Sequence, residues 1–200
     1  PAQLNIDIPP TVASHPQNTT ICEGANVTFN VSAQGNSGYY PYTYTWQVNT
    51  GSGFVNIAGG APYSNLNTPN LTITNAPITM NNYQYRVVVS GNCAPSVTSN
   101  AATLTINAKP AVTTNPLNLT ICEDAAASFT VGATGTSVAY QWQVATGGSG
   151  VYTNIGNVAP YAGMQSATLS ITATPASFAF NTYRCVVSGT CTPAVISAAA

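Results

Sequence analysis

Apolar and polar residues alternate in short runs along this chain. VTFNV (27–31), YTWQV (44–48), LTITN (71–75), YRVVV (85–89) and ATLTI (102–106) place apolar side chains at every second position. Successive side chains of a strand point to opposite faces, so this period predicts half-buried strands. Gly, Pro, Asn and Ser follow each run at intervals of about ten residues, which is the punctuation of an all-β sandwich. No stretch carries a sustained helical period.

The pattern occurs twice. TVASHPQNTTICEGANVTFNVSAQG (11–35) matches AVTTNPLNLTICEDAAASFTVGATG (111–135), YTWQVNTGSGFVNI (44–57) matches YQWQVATGGSGVYTNI (140–155), and 69–95 matches 167–193. Two copies of one domain are expected, over 10–108 and 109–200. The ends extend the pattern. AQLNI (2–6) reads like ATLTI (102–106), with Leu4 and Ile6 standing where Leu104 and Ile106 stand, and Ala200 aligns with Ala102 and Ala2. Residues 1–9 are therefore expected to form the final strand of a preceding domain or a strand donated to a neighbouring subunit. The final strand of 109–200 is expected to be incomplete. A window within a longer tandem array and a strand-donating subunit both fit.

Composition narrows the function classes. The 200 residues include only three basic and four acidic side chains and carry a formal net charge of −1. An average soluble protein is about a quarter charged. With 44% apolar residues the chain still has the means to build a core. The missing basic cluster argues against nucleic acid and against a basic membrane-binding face. No apolar run reaches the ~20 residues of a spanning helix, so no membrane insertion is expected in this segment. Five cysteines lack CxxC spacing. They read as disulfide partners from an oxidising, extracellular setting. Their odd number leaves one thiol unpaired or paired outside the chain.

The motifs resemble the immunoglobulin fold over nearly the whole chain. EGANVTFNV resembles its strand B, with Val31 at the first core-cysteine position. Trp46 and Trp142 match its buried strand-C tryptophan. Tyr85 and Tyr183 match the tyrosine corner, two residues before the second core positions, Val87 and Cys185. Val31 then faces Val87, and Val131 faces Cys185, so neither copy has the antibody-type core disulfide. Cys185 is expected to be a buried free thiol acting as a small hydrophobe. The resemblance thus implies two tandem immunoglobulin-like β-sandwiches with Greek-key topology. More narrowly, ICEG, YTWQV, LTITN, YQYRVVVSGNC and TSNAATLTI are similar to the repeats of long Bacteroidetes-type cell-surface adhesins or filaments. That similarity implies a secreted, extracellular or cell-surface bacterial structural protein.

On that fold each copy has a cysteine before strand B (Cys22, Cys122) and one after strand F (Cys93, Cys191). Strand B starts at one end of a sandwich and strand F finishes at the other, about 20 Å away for strands of about six residues. A disulfide needs Cα atoms within about 7 Å. Cys22 is expected to bond Cys191 across the junction, with Cys93 and Cys122 bonding neighbouring domains or subunits. A Cys22–Cys93 bond within one copy is the alternative, if the first segment bends round.

Catalytic chemistry finds little to work with. The carboxylates are Asp7, Glu23, Glu123 and Asp124. Glu23 and Glu123 are repeat equivalents a domain apart, and Glu123 and Asp124 are neighbours in a turn. His15 is the only histidine and belongs to no triad. GGSG (147–150) lacks the Lys and Ser/Thr of a phosphate loop. No enzyme, cofactor or metal is expected. Arg86 and Arg184 share one strand position and are expected to pair with Glu23 and Glu123. Asn18, Asn26, Asn30, Asn70 and Asn118 open Asn-x-Ser/Thr sequons. SGYYPYTYTW (37–46) has the most binding character, because Tyr, Ser and Gly suit paratope-like and sugar-binding loops. The function expected is a structural repeat unit of a surface fibre or giant adhesin, stiffened by junction disulfides, with itself as partner. The alternative is a carbohydrate- or protein-binding module using Tyr39, Tyr40 and Tyr42, with surface glycans as ligands.

Overall fold

A computed structural model describes residues 6–35 and 41–200. The chain divides into two compact units, Pro1–Asn107 and Ala108–Ala200. The alternating segments form strands in both.

Unit 1 contains β1 (Thr11–Ser14), β2 (Thr19–Cys22), β3 (Val27–Asn30), β4 (Ser32–Gln34), β5 (Thr43–Asn49), β6 (Phe54–Asn56), β7 (Tyr63–Ser64), β8 (Asn70–Ile73), β9 (Gln84–Ser90), β10 (Val97–Thr98) and β11 (Ala102–Asn107). One sheet has the order β3-β8-β7; the facing one runs β2-β11-β9-β5-β6, with β10 also on β9. β2 runs parallel to β11, whereas the other pairs of this sheet are antiparallel. Phe29, Trp46, Leu71, Ile73, Tyr85, Val87, Val89 and Leu104 are buried between the sheets, and Val31 joins them. Each fully buried aliphatic or aromatic side chain contributes about 1.5–3 kcal/mol by leaving water.

The junction of β10 and β11 shows how the last strand bends without losing hydrogen bonds. Ser99 is buried, and its Oγ accepts from the Val87 N–H (3.1 Å) while donating to the Asn100 carbonyl (2.8 Å). Ser197 repeats this in unit 2, accepting from the Cys185 N–H at 2.9 Å and donating to Ala198 at 2.8 Å. A side-chain hydroxyl thus replaces the ladder where the backbone leaves it, as a buried amide requires.

Unit 2 contains β12 (Ala111–Thr114), β13 (Ala127–Thr130), β14 (Gly132–Thr134), β15 (Ala139–Ala145), β16 (Thr153–Asn154), β17 (Tyr161–Ala162), β18 (Thr168–Ile171), β19 (Thr182–Ser188) and β20 (Val195–Ile196). Its sheets are β13-β18-β17 and β16-β15-β19-β20, with β12 on β14. Val131, Trp142, Leu169, Ile171, Cys185 and Val187 fill its core. Both tryptophans are anchored alike: Trp46 Nε1 donates to the Thr68 carbonyl and Trp142 Nε1 to the Ser166 carbonyl, each at 3.0 Å. Gly135 has φ 141°, and an added Cβ would meet Pro110 Cα at 2.9 Å, so this turn needs glycine.

The tyrosine corner differs from the expected form. In immunoglobulin domains the hydroxyl bonds to backbone a few residues upstream. Here Tyr85 Oη lies 3.4 Å from Tyr63 Oη and 4.0 Å from Met80 Sδ. Tyr183 Oη lies 3.3 Å from Tyr161 Oη. A second tyrosine on β7 or β17 reaches the hydroxyl first. The ring instead stacks on the core, with Phe29–Tyr85 and Phe129–Tyr183 centroids 5.0 and 4.8 Å apart. Burial, followed by the bond to Tyr63, raises the Tyr85 phenol well above its ordinary range.

Candidate functional site

Three features lie outside the two cores: the cysteines other than Cys185, the flank of β19, and the Tyr-bearing start of β5. Cys22 closes β2, opposite Asn107 in the parallel register with β11. The Glu23 N–H donates to the Asn107 carbonyl at 2.9 Å, which fixes Cys22 beside the last residue of unit 1. Cys191 is buried, in the turn between β19 and β20. That turn is tied to the start of unit 2: the Thr190 N–H donates to Thr136, and Thr136 exchanges bonds with Ala108 (3.1 and 2.9 Å).

Cys22 and Cys191 are each in the disulfide form. Cys93, Cys122 and Cys185 carry free thiols. Cys93 is half-buried, and its Sγ donates to the Asp7 carbonyl at 3.2 Å, while Asn92 Nδ2 donates to Asp7 Oδ2 at 3.1 Å. Cys122 is exposed. Cys185 is wholly buried, and loss of solvation pushes its thiol up to about 11 against a weaker lowering by a backbone hydrogen bond to Gln141. The thiolate is the nucleophile, so raising the pKa suppresses reaction at lower pH. Alkylation of the native protein at pH 8 should label Cys122 first and leave Cys185 unlabelled until denaturant is added. Mass spectrometry of the digest reads both.

The flank of β19 differs from that of β9, its counterpart in unit 1. There β9 is covered by β11, with Leu104 and Ile106 buried. Three asparagines meet that strand. Asn18 Oδ1 accepts from Thr103 N–H (2.7 Å), Asn81 Oδ1 accepts from Ile106 N–H (2.8 Å), and the Asn82 N–H donates to the Leu104 carbonyl (2.8 Å). In unit 2, Ala200 pairs with Tyr183 through two backbone hydrogen bonds (2.8 and 2.9 Å), as Ala102 pairs with Tyr85. Beyond it lies a cleft of about 530 Å³ whose lining includes Leu119, Ile121, Phe129, Ile171, Phe180 and Tyr183. Residues 119–122 form no strand, although 19–22 do. Phe180 occupies the place of Asn82, at φ 64° and 85% exposed. A positive φ is costly for a bulky side chain.

Tyr39 and Tyr40 lie outside the described residues. Tyr42 and Tyr44 are half-buried against the unit 1 core, edge to face with centroids 6.5 Å apart. Burial, with Tyr42 nearby, raises the Tyr44 phenol. These two rings pack rather than stand free.

The arginines meet other partners than the expected carboxylates. Arg86 Nε donates to Gln47 Oε1 at 2.8 Å, with its guanidinium 4.0 Å above the Phe54 ring. Arg184 does the same with Gln143 at 2.8 Å and Tyr152 at 3.9 Å. Cross-strand neighbours on β5 and β15, together with a ring from the adjoining strand or turn, sit closer than Glu23 or Glu123, and a cation over an aromatic face is favourable. His15 Nδ1 accepts from the Asn100 N–H at 3.0 Å, and Asn115 Oδ1 accepts from the Ala198 N–H at 2.8 Å in unit 2. Histidine here is an acceptor that asparagine replaces, which is a structural duty. Among the described residues no group of three or more His, Cys, Asp or Glu gathers as a metal site would require. Among them also, no helix is long and apolar enough to cross a membrane.

No family model matches the chain, and no curated protein matches it. Solved structures do. A three-domain I-band fragment of titin aligns at TM-score 0.68 and 18% identity, over 94% of this chain and 63% of that fragment. This chain therefore spans less than two thirds of the titin fragment. The first two immunoglobulin domains of DIP-gamma align at TM-score 0.65 and 16% identity, over 96% of both chains. Immunoglobulin domains 1–5 of Sidekick-1 align at 0.61 and 16%, over 96% of this chain and 38% of that one. Both units are immunoglobulin-like. At these identities the likeness establishes the fold: all-β, in tandem.

Proposed function

We propose that this chain is a structural repeat segment of an extracellular bacterial surface fibre or giant adhesin, not an enzyme. In this reading a Cys22–Cys191 disulfide locks one unit to the next. The observation that carries it is the placement of the two bonded cysteines. Cys22 sits beside Asn107, where unit 1 ends, and Cys191 sits in a turn tied to Ala108, where unit 2 begins. Neighbouring domains are mobile by default, so a bond at this place removes a hinge. The bacterial surface assignment is supported by the ICEG, YTWQV and YQYRVVVSGNC motifs and by the scarcity of charge. A fibre with so few ions has little for salt to screen.

Disulfide mapping of unreduced native protein tests this. A Cys22–Cys191 peptide is expected, together with a particle whose maximum dimension by X-ray scattering is unchanged by salt and broadened by reductant. A Cys22–Cys93 peptide would overturn the junction lock and leave independent modules on a flexible string.

A further inference from the structure

We propose that each unit carries a site for the carboxylate groups of an acidic polysaccharide, built on Arg86 in unit 1 and on Arg184 in unit 2. Both arginines lie on the outer face of their sheet, because Tyr85 and Val87, or Tyr183 and Cys185, take the alternate positions into the core. Strand register sets a row across three strands. Arg86 lies opposite Gln47 and Gln47 opposite Asn56; Arg184 lies opposite Gln143 and Gln143 opposite Asn154. Hydrogen bonds join each row in one direction. Arg86 Nε donates to Gln47 Oε1 (2.8 Å), and Gln47 Nε2 donates to Asn56 Oδ1 (2.8 Å). Arg184 Nε donates to Gln143 Oε1 (2.8 Å), and Gln143 Nε2 donates to Asn154 Oδ1 (2.9 Å).

A guanidinium can only donate, and this fixes the direction. The glutamine must turn its oxygen to the arginine. Its amide nitrogen then faces the asparagine, which answers with its own oxygen. The row therefore ends in donors at both ends: the Nη groups of the arginine and Nδ2 of the asparagine. The bond to glutamine uses Nε, so it leaves the Nη fork to grip a carboxylate through two parallel bonds. The Phe54 and Tyr152 rings, 4.0 and 3.9 Å from the guanidinium carbons, hold the cations in place. A cation fixed in advance loses less freedom on binding.

The two copies keep the row as a unit. Gln47, Asn56 and Arg86 recur as Gln143, Asn154 and Arg184, and Phe54 recurs as Tyr152. Neighbouring positions on the same strands have changed: Thr45 corresponds to Gln141, Asn49 to Ala145 and Gln84 to Thr182. The ligand class follows from the surroundings. One cation per site fits a polymer with spaced charges, whereas nucleic acid calls for clustered lysine and arginine. Thr45, Asn49 and Gln84 flank the row in unit 1 and offer amides and a hydroxyl to sugar hydroxyls, whereas protein partners are anchored by buried aromatic pockets. The same site on two tandem units favours a ligand that repeats its carboxylate.

The chain has two arginines, so each site has its own Nε–H resonance. Titrating the whole native chain with a galacturonic acid tetramer should shift both resonances to saturation. Arg86→Gln combined with Arg184→Gln should weaken binding more than about tenfold by calorimetry, with unchanged circular dichroism. Gln47→Leu combined with Gln143→Leu keeps both charges, removes the positioning bonds and should also weaken binding. The fully methyl-esterified tetramer and a tetraglutamate peptide should leave both resonances in place. A native chain indifferent to the acid tetramer overturns the site. An esterified tetramer that shifts the resonances equally overturns carboxylate recognition, and a tetraglutamate that matches the acid tetramer overturns the polysaccharide as partner. The site does not need the Cys22–Cys191 bond, so the shifts should persist in reductant, and failure of the junction lock and failure of this site are read separately.

Discussion

Trp46→Ala lowers the stability of unit 1 by about 3–5 kcal/mol, the usual range for emptying an aromatic site in a core. Trp46 is 1% exposed, and its indole N–H donates to the Thr68 carbonyl. Alanine leaves both a cavity and an acceptor without its donor. Domains of this size are stable by about 5–15 kcal/mol, so the loss is a large share of the total. The chain has two tryptophans, so the variant retains only Trp142 as an indole fluorophore, excited selectively over tyrosine. Urea unfolding followed by fluorescence then reports unit 2, while circular dichroism reports both units. A separate early dichroism transition is expected, with the fluorescence midpoint in place. A unit 1 shift below about 1 kcal/mol would mean that the surrounding side chains close the cavity, contrary to dense interior packing.

The second large effect follows from the proposed junction lock. Replacing Cys22 and Cys191 together by serine should lower unit 1 stability by about 4–5 kcal/mol in the chain-entropy account. In that proposal the bond ties Cys22 to Cys191 while unit 2 stays folded. An unfolded unit 1 is then a closed loop from Cys22 to Asn107, about 85 residues, rather than a free chain. Both cysteines are changed at once, because one alone would leave a stray thiol. Reductant should reproduce the shift in the unmodified protein and do nothing to the double variant. A double variant with the unmodified midpoint would place the stabilising cross-link elsewhere.

Much of the fold was legible in the chain because β-sheet patterning is local. A period of two marks which face of a strand is buried without reference to its neighbours. The resemblance to the immunoglobulin fold then implied a core position for Trp46, Trp142, Val31, Val87, Val131 and Cys185, and all six are buried. The scarcity of charge and the want of converging acidic groups were equally readable, since they need only counting and repeat alignment.

The partners of particular groups were not legible. Arg86 and Arg184 settle on glutamine and an aromatic ring, because cross-strand register sets their neighbours. Tyr85 turns its hydroxyl to Tyr63, a residue 22 positions away, rather than to backbone. The plainest case is TIC, which occurs in both copies. Residues 20–22 belong to a strand in unit 1, whereas 120–122 do not in unit 2. A strand exists only where a second backbone accepts and donates its hydrogen bonds, as β11 does for β2. The sequence by itself determined which residues alternate and where the repeat falls. The tertiary structure alone decided which edges are paired and which side chains meet, because each depends on contacts between residues far apart in the chain.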